Sequence, residues 1–575
     1  MTMRCHSVPL IVVALLAAAC GRTPPAAEPR VPAGASQILI TIDAIAMRRL
    51  VPFGGLNAMP RVAELVSAGT AYDDAVSTTN LARPALVTIL TGVSPDRSGV
   101  RDNIHDALPE GLPTLAEGAR KLGFETAAFV STPFVSYTSG LQRGFELFDG
   151  PEALVVGPAQ HAPPVVAAGT VADHFKQWLA ARKPGKPYFA WIHLADLNGL
   201  AVPLPSPPTK TGERQPDDFA PYNDTLAKID GAIGAILDAV HADSRSSGVE
   251  WTLAGTHGTF LGEGGRYGDA FWLTDETLHV PVVRVVGATR APKRPPHDLR
   301  ATWLPDVAAT LAQAMGITLD PKAEGVPLDT APPPGRARLA WGYALDDQLG
   351  WPPETAVRDG AGFVVTNTGA EARAAVPRSR VLPPEARGAV ERAGITLGRA
   401  TIPESPPKQP EAWLRDLQLV RRFLGMDHLA PAGRRSKQLV EAAPDAFASN
   451  VARAYFFISE PSKEGATLRD KLLARFPERS EALHWAAHVE LVDKRLDAAA
   501  ALLDAAIAVG PVEPEMHYDL ACVRSLRGDP KGAMEELERA LGAGYRNWDW
   551  IDKDPDLAAA RADRGFPALL GAHGR

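Results

Sequence analysis

The sequence is poor in cysteine, and this shortage excludes one way of stabilising the chain. Its 575 residues include three cysteines, at positions 5, 20 and 522. Cys5 and Cys20 both lie within the first 20 residues, so the rest of the chain cannot contain a disulfide framework. We expect Cys522 to be a small core residue of a helix and not a reactive thiol.

The chain also lacks a surplus of positive charge. The chain has 60 Lys and Arg residues against 67 Asp and Glu residues, which gives a formal net charge of −7. Proteins that bind nucleic acid usually carry a surplus of Lys and Arg that neutralises the phosphates. This chain has no such surplus, so no nucleic-acid partner is expected. The hydrophobic content of 45% is ordinary for globular proteins. The length allows about two to four domains with large cores.

Long apolar runs are missing, apart from one near the N-terminus. Residues 8–19 form an apolar run that is too short to cross a bilayer comfortably and is typical of a secretory leader. The run ends in a leucine and three alanines before Cys20. This ending resembles the lipobox of bacterial lipoproteins, although the leucine lies four residues before the cysteine instead of three.

The lipobox resemblance implies a lipid-anchored protein. Residues 1–20 would be the signal peptide, Cys20 the lipidated residue, and residues 21–35, which are rich in Pro and Ala, a tether. Gly21 after the cysteine, in place of Asp, implies the outer membrane. We therefore expect a cell-envelope protein that faces the periplasm and reaches the membrane through its anchor. The alternative is an ordinary secretory signal that is cut near Ala19.

From Ser36 onward, short apolar runs rich in β-branched residues alternate with helical periodicity. The strand-like runs are Gln37–Ile42, Thr126–Val130, Tyr188–His193, Trp251–Ala254 and Val280–Val286. The helical periods cover residues 59–69, 112–122, 171–181 and 224–240. This alternation predicts an α/β domain, a mostly parallel sheet sandwiched by helices.

Several polar residues follow the predicted strands directly. Ligands bind beyond the carboxyl ends of the strands in sheets of this kind. Asp43, Asp196 and the pair Thr256-His257 occupy such positions. They are therefore the first candidates for a functional site.

The second half of the chain changes character. We predict that the first domain covers residues 36–400, with a Pro-rich finish from about residue 330, and that residues 411–575 are all helical. A period of 34 residues links one set of apolar positions to a second set: Ala487, Ala499, Leu503 and Ala506 recur as Ala521, Ala533, Leu537 and Ala540.

This repeat resembles the tetratricopeptide repeat, in which small residues lie where helices cross and Pro closes each unit. The resemblance implies a groove that binds a protein or peptide partner. The alternative is a generic helical bundle. We expect the array to pack against the first domain or against the predicted helix at residues 411–426.

Four segments of the first domain, taken together, are similar to the sulfatases of the alkaline-phosphatase superfamily. They are Ile38–Ala44, Pro84–Asn103, Tyr188–Asp196 and Thr256–Pro281. The resemblance runs from about residue 36 to residue 369. It implies hydrolysis of sulfate or phosphate esters by a nucleophile at a helix N-terminus, with a divalent cation such as calcium.

Several positions depart from the family pattern. Ala82 stands at the nucleophile position, two residues before Pro84, and a methyl group cannot attack sulfur or phosphorus. Leu86 replaces an Arg or His, and Ala44 replaces a second Asp. Thr256 replaces a metal carboxylate. Asn198 and Gly264 each replace a family His.

Asp43 and His257 remain as candidate metal ligands. Alternatively, Asp43 is a turn residue after its strand and His257 is satisfied by local hydrogen bonds. Arg83 is a candidate anion-binding residue; otherwise it is a solvated surface charge. Asp269 and Glu263 would belong to a remodelled cation site.

No catalytic residue is assigned, and no cofactor is expected unless a calcium site or another divalent cation site survives. These losses favour a catalytically impaired pseudoenzyme that acts as a scaffold through its repeats. One alternative is an active sulfuric or phosphoric ester hydrolase with a rearranged site, in which Thr78 or Thr79 would be a shifted nucleophile. Another is a transferase that acts on envelope lipids or glycans.

Overall fold

A computed structural model describes most of the chain. It covers residues 34–55, 59–135, 139–151, 165–183, 185–204, 219–246, 248–287, 297–349, 351, 353–359, 362–367, 381–399, 407, 409–425, 428–454, 463–510 and 512–573. Cys20, the predicted signal peptide and most of the predicted tether lie outside these residues. Within them, none of the helices combines the length and the apolar character needed to cross a bilayer.

Strands and helices alternate in the first part of the chain, as the sequence predicts. The strands are β1 (Gln37–Ile42), β2 (Thr70–Tyr72), β3 (Ala75–Val76), β4 (Glu125–Val130), β5 (Leu147–Asp149), β6 (Tyr188–Leu194), β7 (Glu250–Gly255), β8 (Phe260–Leu261), β9 (Tyr267–Gly268), β10 (Val282–Val285), β11 (His297–Asp298), β12 (Thr302–Trp303), β13 (Arg338–Gly342), β14 (Glu354–Asp359) and β15 (Gly362–Asn367).

The helices of the same part are α1 (Pro60–Ala68), α2 (Ala82–Thr91), α3 (Pro95–Ser98), α4 (Leu115–Lys121), α5 (Ala168–Ala181), α6 (Ala220–Ala242), α7 (Asp275–Leu278), α8 (Pro305–Met315) and α9 (Ala344–Leu349). Those of the second part are α10 (Pro384–Arg392), α11 (Pro410–Gly425), α12 (Leu429–Ala442), α13 (Phe447–Ala454), α14 (Lys463–Arg475), α15 (Ser480–Val492), α16 (Leu496–Val509), α17 (Pro514–Leu526), α18 (Pro530–Gly542), α19 (Trp548–Lys553), α20 (Ala558–Arg561) and α21 (Phe566–Ala572).

Among the described residues, eight strands form the central sheet in the order β11-β2-β10-β7-β1-β6-β4-β5. The central strands β7, β1, β6 and β4 are parallel, whereas β10 runs antiparallel to its neighbours. All six residues of β1 are buried. The predicted mostly parallel sheet is confirmed.

Alternate side chains of β1 enter the two cores on opposite faces of the sheet. Ile38, Ile40 and Ile42 pack in one core with residues of α1, α5 and α6, and Leu39 packs in the other with residues of α2, α4 and α8. Successive side chains of a strand point to opposite faces, so a continuous apolar run is what a sheet covered on both sides requires. The predicted sandwich of helices around the sheet is confirmed.

The 34-residue period corresponds to pairs of helices. Helices α15 and α17 begin at Ser480 and Pro514, 34 residues apart, and α16 and α18 begin at Leu496 and Pro530, again 34 apart. The turn inside each pair uses a left-handed residue, Lys494 in the first unit and Gly528 in the second. The eight recurring Ala and Leu positions are all buried, four in one core cluster and four in the next. The helical region is therefore consistent with repeats.

The two parts of the chain share contacts. Trp413 and Leu417 of α11 pack in one cluster with Leu81, Phe271 and Trp351 of the first part. By contrast, α10 lies in the core of the repeats, although its sequence falls within the predicted first domain. The predicted domain boundaries stay predictions.

Cys522 is buried in α17, as expected.

Candidate functional site

The candidate site lies at the carboxyl edge of three neighbouring strands. β7, β1 and β6 are adjacent and parallel. Asp43 directly follows β1, Thr256 directly follows β7, and His193 is near the end of β6. Because the carboxyl ends of parallel strands meet at one edge of a sheet, these three side chains converge there.

Polar side chains of the same chain surround the Asp43 carboxylate. The Thr256 hydroxyl donates a hydrogen bond of 2.5 Å to Asp43 Oδ1. The Asn198 amide donates a bond of 3.2 Å to Oδ2, and His193 Nε2 lies 3.4 Å from the same oxygen. Asp43 is fully buried. Burial alone would raise its pKa, but His193, His257 and the Thr256 hydroxyl outweigh this effect and lower the pKa of Asp43 to about 2.

The backbone after Asp43 is held in an unusual conformation. Ala44 has φ of 51°, in the left-handed region that disfavours residues with a Cβ atom. The Tyr222 hydroxyl donates to Ala44 O at 2.8 Å and accepts from Ala46 N–H at 2.9 Å. These two hydrogen bonds of Tyr222 stabilise the turn after Asp43, whose side chain lies against Thr256.

The other predicted site residues are only partly brought together. His257 Nδ1 lies 3.0 Å from Gly258 O and 3.5 Å from Asp269 Oδ2. Burial and the nearby Asp43 carboxylate raise the pKa of Asp269. His257 lowers this pKa but offsets only part of the rise. Glu263 instead pairs with Arg48 at 2.5 Å, outside this group. The assignment of Asp43 and His257 as metal ligands stays a prediction.

Ala82 is the first residue of α2 and is buried. The free N–H groups of a helix N-terminus are the usual place for an anion. Here the Arg83 N–H donates instead to the Asn103 side-chain oxygen at 2.9 Å. Leu86, on the same helix, is fully buried in the core. The start of α2 is thus capped by the chain's own amide group.

Arg83 was predicted either to bind an anion or to be a solvated surface charge. The second alternative is wrong, because Arg83 is only 1% exposed. Its guanidinium group donates to the backbone carbonyls of Phe134, Ile104 and Asp106 at distances from 2.7 to 2.9 Å. Burial lowers the pKa of Arg83 to about 10, even though nearby carboxylates raise it. Anion binding by Arg83 stays a prediction, and Nη2 is the guanidinium nitrogen without a partner among the described residues.

A divalent cation of the kind the sulfatase resemblance implies does not fit these residues. Hard cations prefer six or more oxygen ligands. Asp43 is the carboxylate that directly follows β1, and the Thr256 hydroxyl and the Asn198 amide already donate to its two oxygens. Among the described residues around Asp43, no three His, Cys or carboxylate side chains bring ligand atoms within 4.8 Å of one another. No catalytic step through a cation is therefore assigned.

Two partners of Asp43 were not predicted from the sequence. The sequence pattern predicts His193 only as part of a strand, and the family resemblance implies Asn198 only as the replacement of a lost His. The available signal was their position at the end of β6, next to β1. Asp196, which was predicted at this edge, instead accepts a hydrogen bond from Ala168 N–H at the start of α5, at 2.8 Å.

One family model and several solved structures are similar to this chain. Residues 38–317 match the Sulfatase family model. A 2-O GAG sulfatase of known structure is similar over 59% of this chain and 86% of its own, with 16% identity and a TM-score of 0.47. A phosphonate monoester hydrolase from Silicibacter pomeroyi is similar over 58% of this chain and 87% of its own, with 16% identity and a TM-score of 0.45. No curated protein matches the chain. Residues 38–317 therefore form a sulfatase-like domain.

Proposed function

We propose that this chain is a sulfatase-like lipoprotein of the cell envelope whose sulfatase-like domain is catalytically impaired and which holds a partner through its helical repeats. The observation that carries the proposal is the hydrogen bond from Thr256 to Asp43 Oδ1. A neutral hydroxyl takes the place where the family resemblance implies a second metal carboxylate. The Thr256 hydroxyl and the Asn198 amide both donate hydrogen bonds to the Asp43 carboxylate.

The start of α2 supports the same proposal. Ala82 offers no nucleophilic atom, and the Asn103 side chain takes the Arg83 N–H that would otherwise face an anion. Removal of a single nucleophile can lower the rate of an enzyme by several orders of magnitude. Loss of the nucleophile and of a metal carboxylate together leaves a folded domain with little means of hydrolysis.

The scaffold role rests on the repeats. Helical repeats present extended surfaces that bind peptides or proteins. In the C-terminal region, Trp550 is half exposed and Leu526 is also exposed. Aromatic residues are enriched at the buried centres of interfaces. A protein or peptide is therefore the partner that we propose for this region.

Hydrolysis assays test the impaired site. The purified chain is incubated with aryl sulfate, aryl phosphate and aryl phosphonate in calcium, magnesium, manganese and zinc in turn. We expect no turnover above that of the Asp43→Asn variant, which keeps the shape of the side chain but not its charge. Turnover that Asp43→Asn abolishes would contradict the proposal and would indicate an active, rearranged site.

One observation favours this alternative of an active hydrolase. The hydroxyl of Thr79 is buried, and it has no hydrogen-bond partner among the described residues. Its neighbour Ser77 donates to Thr256 O at 2.6 Å, so this segment borders the site. The assay therefore includes Thr79→Ser and Thr79→Ala. Activity that is kept in the first variant and lost in the second would assign Thr79 as the nucleophile.

Envelope anchoring has its own test. Cells that express the chain are labelled with a radioactive fatty acid, and the label on the chain is measured. We expect incorporation in the native chain and none in Cys20→Ser. An unlabelled native chain that is released from membranes by salt would support the ordinary secretory signal instead.

A further inference from the structure

A second cluster of ionisable side chains lies far along the chain from Asp43, in the repeats. His484 and His488 are four residues apart on α15, so they share one face of that helix. Asp519 lies on α17, the first helix of the next repeat. Within the described part of the chain, these three residues form the group whose ligand atoms all lie within 4.8 Å of one another.

The distances suit a small cation. His484 Nε2 lies 2.6 Å and His488 Nε2 lies 3.1 Å from the same oxygen, Asp519 Oδ2. In a tetrahedral zinc site with bonds of about 2.0–2.1 Å, neighbouring ligand atoms are roughly 3.3 Å apart. Shifts of less than about 1 Å would thus open this cluster to the spacing of a zinc site.

Hydrogen bonding alone does not account for the whole cluster. The His484 ring bonds to Asp519 Oδ2. His488 Nε2 is buried and 3.1 Å from the same oxygen, yet it makes no hydrogen bond among the described residues. Two ring nitrogens therefore converge on one carboxylate oxygen: His484 makes a hydrogen bond to it, and His488 lies within ion-pair distance of it. A metal ion would use all three atoms.

The charges around the cluster favour a cation. Glu481 and Glu513 both act electrostatically on His484, in addition to Asp519. The three candidate side chains are 9%, 15% and 18% exposed, so the cluster lies just beneath the surface. A partly open set of three ligands leaves a fourth position for water or for a ligand from a partner.

We propose that His484, His488 and Asp519 bind one divalent transition-metal ion of the zinc type, with a fourth position that is open to solvent. The ion would join α15 to α17 and thereby link two consecutive repeat units. Imidazole nitrogen suits zinc, cobalt and nickel, whereas magnesium and calcium require oxygen ligands. The site does not depend on whether the sulfatase-like domain is active.

The metal would act close to a contact between the two parts of the chain. His105 is in the loop after α3, and its Nε2 atom lies 3.6 Å from Oε1 of Glu513, the residue that precedes α17. Glu513 in turn acts electrostatically on His484. Binding of a cation between the repeats would therefore stiffen the array where the sulfatase-like domain contacts it.

Titration of the full chain with Co²⁺ and with Zn²⁺ tests the proposal. The chain is purified without a histidine tag and treated with chelator, and binding is followed by calorimetry and by the visible absorption of four-coordinate cobalt. We expect about one equivalent bound per chain. His488→Gln and Asp519→Asn should each weaken binding at least tenfold, since even indirect partners of metal ligands contribute about 10–100-fold.

His517→Gln is the matched control. His517 lies on α17, as Asp519 does, but its ring pairs with Glu536 at 2.7 Å. Binding should be unchanged in His517→Gln and in Asp43→Asn. Equal affinity in native chain and His488→Gln, or saturable binding of Mg²⁺ as tight as that of Zn²⁺, would overturn the proposal. Circular dichroism verifies that each variant is folded, and the cobalt spectrum of the native chain decides the matter if both ligand variants unfold.

Discussion

Removal of the Thr256 hydroxyl probes the hydrogen bond that replaces a metal ligand at Asp43. Thr256→Val keeps the shape of the buried side chain and removes its one donor. Asp43 is fully buried, so it cannot recover the lost bond from water. A hydrogen bond to a charged group contributes about 1.5–3 kcal/mol. We therefore expect the free energy of unfolding at pH 7 to fall by about 2 kcal/mol.

The pKa of Asp43 reflects the contribution of all its partners together, with His193 the largest and Thr256 one of the smaller. A lowering from 3.8 to about 2 corresponds to roughly 2 kcal/mol of stability in the native chain. Because the folded pKa is below the unfolded one, this contribution is complete above pH 3.8 and is lost as the pH falls toward 2. Thr256→Val should raise the pKa of Asp43, so acid should begin to destabilise the variant at a higher pH.

Urea unfolding measures both effects. The native chain and Thr256→Val are compared at pH 7 and through the acid range, each in chelator and in excess calcium. Thr259→Val is the matched control, since Thr259 is equally buried but its hydroxyl makes only a 3.5 Å contact with Phe260 O.

Two results would refute this reasoning. The first is a loss in Thr256→Val no larger than that in Thr259→Val, which would mean that the bond to Asp43 contributes nothing. The second is a large stabilisation of the native chain by calcium that Asp43→Ala removes. That outcome would mean that an ion, and not the hydroxyl, holds the carboxylate.

Three further perturbations test other parts of the structure. Arg83→Met should lower the free energy of unfolding by about 3 kcal/mol, because three backbone carbonyls lose the hydrogen bonds from the buried guanidinium group. Urea unfolding measures this loss, and a loss below about 1 kcal/mol would contradict a structural role. Leu503→Ala should lower the free energy of unfolding by about 2–5 kcal/mol, with thermal unfolding as the measurement, and a neutral effect would argue against its place in the repeat core. Bonds to Asp102 and Glu513 outweigh burial and raise the pKa of His105 to about 10, so its stabilising contribution should be complete below pH 6.5 and lost as the pH rises toward 10. Melting temperatures across that range should fall less in His105→Gln than in the native chain, and parallel curves would exclude the contact.

The sequence predicted the central sheet because local and global preferences agree there. A strand buried on both faces is apolar at most of its positions, so β1 and β6 are recognisable as largely apolar runs. The 34-residue period is equally local, since each helix pair repeats its own packing positions. The order of strands and the antiparallel direction of β10 could not be predicted, because pairing depends on residues that are far apart in the chain.

For the site, the sequence by itself determined which atoms are missing. Ala82 has no nucleophilic atom and Thr256 has no carboxylate, whatever the fold. Only the tertiary structure decided what replaces them: the Thr256 hydroxyl reaches Asp43 because β7 lies beside β1, and Arg83 is buried because three distant carbonyls surround it. The same holds for Asp519, which meets His484 across two repeats. Residue chemistry is a property of single positions, whereas burial, pairing and pKa depend on neighbours that only folding brings together.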